Sequence, residues 1–280
     1  MALNKLIRSI SYSSSKNNLI LPHDLNIIEI HYKEDKMVKS ILKDLVAHTH
    51  SLGFINLVKI TGDKDKTSVE ALADNRTVIV QAETNNPVAD FKGTFGLPDL
   101  NKLDLHLKNP EYKEGEEIKV VWENRNGEDR PVMIHFENAA GDFSNDYKLM
   151  GTELINEKLK TVKFKGTNWP VEFEPTVTSI NRFKLQAAAH NGETIFLVKT
   201  DGDKINFFFG DPSTHEGNFT FHVGITGKLR QAWSYPIAQV ISILNLDGDK
   251  TVKFSDDGVA LITVDSGIAK YNYYIPAQTK

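Results

Sequence analysis

Lys36, Lys39, Lys43 and His50 recur at three-, four- and seven-residue steps within "DKMVKSILKDLVAHTHSLG". On a helix, at about 100° per residue, these four fall on one side. The acid inside the segment, Asp44, lies off that stripe. A row of ammonium groups on a helix suits phosphate contact that is electrostatic, salt-sensitive and blind to base sequence. Other stretches that could carry chemistry do not. "TGDKDKTS" (61–68) lacks the glycine framework of a phosphate loop and reads as a hairpin turn. "DGDK" at 201 and again at 247 has no acid at the twelfth position that a calcium loop needs, so both copies read as turns. His48 and His50 are two apart and point in different directions on a helix, a poor metal pair. There is no cysteine, and neither Gly-x-Ser-x-Gly nor His-Glu-x-x-His occurs. The expectation is a chain that is no enzyme, with no cofactor and no metal.

The stripe needs a helix to hold it. Val38, Ile41, Leu42, Leu45, Val46, Thr49 and Leu52 supply the opposite, apolar face, with Asp35 as N-cap and Gly53 as stop. Strand-like segments follow in "FINLVKIT", "TSVEALAD", "TVIVQAE" and "VADFKG", then a helix in "GLPDLNKLDLHLKNP" with Pro98 in its first turn. "EEIKVVWEN", "RPVMIHFEN" and "DFSNDYKLM" read as strands. Residues 151–168 crowd Lys158, Lys160, Lys163 and Lys165 together and read as an extended connector. The order then repeats: a helix in "PTVTSINRFKLQAAAHNG", three strands, a helix in "YPIAQVISILNLDG" and three closing strands. The paired helices start 62 residues apart in the first half and 59 in the second. A duplicated α+β domain follows. The expected divisions are an N-terminal extension (1–24), a first domain (25–150), the connector (151–168) and a second domain (169–280).

Composition bounds the rest. A net charge of −4 and 25% charged residues are those of an ordinary globular chain, and no run of apolar residues is long enough to span a membrane. The acids gather in and beside strands, as in "YKEGEEIKVVWENRNGEDR". The other helices add Lys102, Lys108, Arg182 and Lys184. Helices positive and strands negative describe an object with two differently charged faces.

Across roughly residues 30–277 the chain resembles DNA polymerase sliding clamps, of the phage T4-like and proliferating-cell-nuclear-antigen-like type. The resemblance rests on the striped helix with "GFINLVKI", on "TVIVQAETNNPVADFKGTFGLPDLNKLDL", on "GDKINFFFGDPSTHEGNFTFHVG" and on "DGDKTVKFSDDGVALITVDSGIAKYNYYIPA". It implies two similar clamp domains per chain, each with two helices packed on antiparallel sheets, assembling head to tail into a homotrimeric ring around duplex DNA. Helices would line the hole, with Lys36, Lys39, Lys43, His50, Lys102, Lys108, Arg182 and Lys184 facing DNA. Strands "RPVMIHFEN" and "GNFTFHVGIT" would join the subunits. The implied partners are a replicative DNA polymerase and an ATP-dependent clamp loader. Their tails would dock in a pocket of Val78, Val80, Leu149, Met150, Leu154, Ile155, Tyr274, Ile275 and Pro276. Period-2 alternation would bury Tyr271 and Tyr273 in the sheet instead. The implied place is the cytoplasm, of an infected host if the source is viral. The rival expectation is a structural virion or tail protein with duplicated β-rich domains.

Overall fold

The computed structural model describes residues 38–112, 117–125, 127–160 and 166–278. Helix α1 (38–48) buries Val38, Ile41, Leu42, Leu45 and Val46, the face its periodicity marks. A 3₁₀ turn (His50–Leu52) carries it to Gly53, whose φ of 82° lets its N–H reach back to the His50 carbonyl. Strands β1 (Leu57–Gly62), β2 (Thr67–Leu72), β3 (Ile79–Thr84) and β4 (Gly93–Pro98) follow, then helix α2 (Leu100–Lys108). Strands β5 (Glu117–Arg125), β6 (Glu128–Glu137) and β7 (Ser144–Lys148) close the first half. After helix α3 (Thr152–Lys158) the second half runs β8 (Val171–Phe173), α4 (Val177–Ala189), β9 (Ile195–Asp201), β10 (Lys204–Gly210), β11 (Glu216–Val223), β12 (Trp233–Pro236) and α5 (Ile237–Leu244). It ends in β13 (Asp249–Phe254), β14 (Val259–Asp265) and β15 (Ala269–Pro276).

From α1 to β7 and from α4 to β15 the halves correspond element by element, so two similar α+β domains share one chain. Their strands are all antiparallel, in an eight-stranded sheet β4-β1-β2-β3-β15-β14-β13-β8, a four-stranded sheet β11-β10-β9-β12 and a three-stranded sheet β5-β6-β7. The large sheet crosses from one half to the other where β15 pairs with β3, Tyr271 opposite Ala82 and Tyr273 opposite Val80. Inward positions of its strands, among them Val58, Ile60, Val80, Tyr271, Tyr273 and Ile275, are buried against the helices. The turn end of α1 touches α2 and α5, and α5 touches α4, so four helices form one layer on one side.

Several expectations are corrected. "RPVMIHFEN" is no edge: β6 pairs with β5 on one side and β7 on the other, so both its ladders are used. The edges of that sheet are β5 and β7, while β11 is an edge of the four-stranded sheet as expected. The connector is helical rather than extended over Thr152–Lys158. "VADFKG" is a turn whose Val88 and Phe91 plug the core. Pro98 ends β4, and α2 opens at Leu100 after Asp99 in a left-handed conformation.

Candidate nucleic-acid interface

The basic residues sit on the helix layer. Lys39, Lys43 and Lys108 line one groove of about 450 Å³ between α1 and α2, with Ser51 and Asp104. Lys43 is exposed, and the half-buried Lys39 donates to the Tyr112 carbonyl. Lys108 meets the half-buried Asp104 at 2.6 Å and Lys102 meets Asp99 at 3.2 Å, with both ammonium groups on open surface. Such exposed pairs are worth little, so a phosphate can replace the carboxylate at small cost. His50 is half-buried on the 3₁₀ turn. On α4, Arg182 is exposed and Lys184 half-buried, beside the exposed Val177 and Leu185. The second-half helices therefore offer less positive charge than the first. Lys36 lies outside the described residues. Among the described residues no cluster of three or more metal-ligating side chains occurs.

The residues expected to form a partner pocket fall into two groups. Val78, Val80 and Ile275 point inward and are fully buried. Side chains alternate along a strand, so their neighbours face out instead. Leu72, Ile79, Tyr274 and Leu261 form one cross-strand row on the outer face, with Pro276 exposed one step on. Burial raises the Tyr274 phenol above its ordinary value. The connector's Leu159 and Lys160 meet Ile79 and Leu72 there. Leu149 and Met150 sit at the other end of α3, where Met150 and Gly96 exchange backbone hydrogen bonds of 2.8 Å. Leu154 is exposed, but Ile155 is fully buried against Gly96. A Cβ on Gly96 would lie 2.7 Å from Ile155 Cδ1, so any side chain there would have to displace Ile155 as α3 lies down on β4. Ile79, Leu72, Leu261 and Leu159 were missed from sequence. Their signal was the parity of β3: Ile79, not its valine neighbours, shares the face of Tyr274.

A third cluster ties the halves together. Asp44 on α1 accepts from the Tyr271 hydroxyl at 2.8 Å and from Ser266 at 3.0 Å. Its other oxygen lies 3.3 Å from His48 Nδ1. The His48 ring stacks on Tyr271 at 4.5 Å, and Tyr273 donates to the His48 carbonyl at 2.7 Å. His48 Nδ1 faces the Asp44 carbonyl and Nε2 faces the Asp247 carbonyl, so a ring donating on both sides is the imidazolium. Burial pushes the Asp44 carboxyl up, but hydrogen bonds from His48 and Tyr271 outweigh it and hold it below its usual range. Burial likewise presses His48 down, and its bonds to Asp44 carry it above the ordinary histidine value.

No family model and no curated protein matches this chain. Solved structures do. It is similar to A. fulgidus PCNA bound to the C-terminal region of FEN-1, with a TM-score of 0.61 at 12% identity, covering 86% of this chain and 95% of that one. PCNA from Thermococcus kodakaraensis aligns with a TM-score of 0.59 at 12% identity over 87% of this chain and 97% of its own. The proliferating cellular nuclear antigen of Entamoeba histolytica gives 0.59 at 10% identity over 87% and 95%. At these identities the likeness establishes the fold.

Proposed function

We propose that this chain is a DNA sliding clamp: a non-enzymatic, closed homotrimeric ring that encircles duplex DNA and tethers a replicative DNA polymerase. The observation that carries the reading is the pair of corresponding strand edges, β7 and β11, on a chain whose helices α1, α2, α4 and α5 form one layer. β7 holds in the first half the place β15 holds in the second, and β11 holds the place of β3. β15 and β3 pair within the chain; β7 and β11 are their counterparts, left for neighbours. A contact between two different patches of identical copies is head to tail, and it makes a ring when the rotation closes. Two domains, 25–150 and 169–280 joined by 151–168, then give six domains around the hole.

In that ring the layer α2-α1-α5-α4 faces the duplex. Lys39, Lys43, His50, Lys102, Lys108, Arg182 and Lys184 meet phosphates without reading bases, which permits sliding. The outer row Leu72-Ile79-Tyr274 with Leu159, Leu149, Met150, Leu154 and Pro276 takes an apolar anchor from the tail of a polymerase or of an ATP-dependent loader. A virion or tail protein explains the strands but gives no reason for a basic layer of helices.

The test is retention on DNA by topology. Light scattering across a dilution series is expected to show about 95 kDa, three times the 31.5 kDa chain. The ring should thread a linear duplex through a free end and stay on when both ends are then blocked. Cutting the duplex should release it. A species that binds blocked and open DNA alike, or an extended polymer, overturns the proposal.

A further inference from the structure

The internal repeat fixes more than which strands meet between copies; it fixes their register. Past β7, the Leu149 N–H donates to the Val132 carbonyl at 2.9 Å and the Met150 N–H to Gly96 at 2.8 Å. Past β15, the Ala277 N–H donates to Gly258 at 2.7 Å and the Gln278 N–H to Ser234 at 2.8 Å. These two pairs of bonds align the strands residue by residue, so Phe143 corresponds to Tyr271 and Asp146 to Tyr274. The hairpins align β3 with β11 in the same way. Val69 and Ala82, paired on β2 and β3, correspond to Phe207 and Phe219, paired on β10 and β11. Ile79 then corresponds to Glu216.

Resting on the ring reading, we propose that β7 of one copy pairs with β11 of the next with Phe143 opposite Phe219, Ser144 opposite Asn218 and Asp146 opposite Glu216, and that His135 beside the last pair makes closure of the seam proton-dependent. The parity agrees at every position. Phe143 packs inward, its ring 5.7 Å from Tyr112, and Phe219 packs inward on Phe207 at 5.8 Å. Asp146 faces out beside His135, and Glu216 lies opposite the outward Gly210. Pairing covers Phe143, which is 39% exposed in the single chain. It also sets two carboxylates directly across from each other, an arrangement that destabilises an antiparallel pair.

His135 is placed to relieve this. Its Nδ1 lies 2.8 Å from Asp146 and its Nε2 3.2 Å from Glu137. The hydrogen bond to Asp146 leads in raising it above the ordinary histidine value, against partial burial and Lys119. The charged groups around it are Glu137 on its own strand, Lys119 with Glu117 on β5, and Asp146 with Lys148 on β7. From the next copy come Glu216 and Lys199, which share one cavity. Adding the neighbour's Glu216 holds the His135 proton more tightly in the ring than in the free chain. Assembly therefore takes up protons, and the seam tightens as pH falls from about 8 to about 6.

The chain has no cysteine, which gives a clean test of register. Ser144→Cys with Asn218→Cys is expected to yield a covalent closed oligomer with a short thiol-reactive crosslinker. Ser144→Cys with Thr220→Cys, shifted by two, should crosslink far less. Dilution at pH 6 should show the wild-type oligomer about tenfold tighter than at pH 8. His135→Gln should abolish that difference, and Glu216→Gln should tighten the ring at pH 8. An oligomer that crosslinks in the shifted register, or whose midpoint is equal at both pH values, overturns this proposal and leaves the ring reading standing. A chain that stays monomeric at every concentration and pH, with no crosslink, overturns both.

Discussion

Where β15 meets β3, inward side chains and a polar cluster cement the two halves; at the corresponding edges, β7 and β11 carry Asp146 and Glu216 outside and a half-exposed Phe143 within. At the first join, Tyr274 stands opposite Ile79, an apolar pair, and Tyr271 reaches Asp44 on α1. Filled with buried tyrosines, this backbone geometry is a permanent joint within the chain. In the proposed ring the same geometry, edged with carboxylates and a histidine, would serve a second time as a contact fit to open.

The hardest blow to the permanent joint is Asp44→Ala. It strands the Tyr271 hydroxyl and Ser266 and leaves the buried His48 without its carboxylate. We expect a loss of about 3 kcal/mol in chemical denaturation. A loss below about 0.5 kcal/mol, the level of an ordinary surface change, would remove the cluster from the joint. Phe143→Ala, its counterpart across the comparison, should leave the single chain's stability nearly unchanged and weaken self-association.

Gly96→Val should come next. The added side chain drives Ile155 out, at a cost of roughly 1–3 kcal/mol, with proteolysis appearing near α3. Undiminished stability and unchanged protection of 152–158 would mean α3 does not depend on that contact.

The joint also has a pH signature. His48 is raised in the folded chain, so its contribution is fully present below the unfolded histidine pKa of about 6.5 and is lost as pH rises through the folded value. Asp44 is lowered, so its contribution is present above about pH 3.9 and is lost as pH falls through its folded value. Together they favour the interval between about 4 and 6.5, and His48→Gln should flatten the decline above it. A wild-type profile that rises with pH through that region contradicts a buried imidazolium. The smallest effect on stability belongs to Lys39→Ala with Lys43→Ala. Folding should hardly change, while the salt slope of DNA association should fall by about 2. An unaltered slope would take the α1–α2 groove off the DNA path.

The apolar face of α1 and the duplicated order of elements were legible because helical and strand periodicities are local properties of the chain. So was the burial of Tyr271 and Tyr273, which follows from alternation. The outer-face groove proposed for a partner was half legible. Its tail residues Tyr274 and Pro276 could be named, but choosing between Val80 and Ile79 required strand parity, which a single residue's shift reverses. The Asp44–His48–Tyr271 cluster was invisible, because Tyr271 lies more than 200 positions from Asp44 and His48, and His48 looks like an ordinary helix histidine. The sequence by itself determined where charge and apolar surface lie along each helix and strand. Only the tertiary structure decided which edge stays open. An edge is defined by which other strands have already paired, and that pairing is settled between segments far apart in the chain.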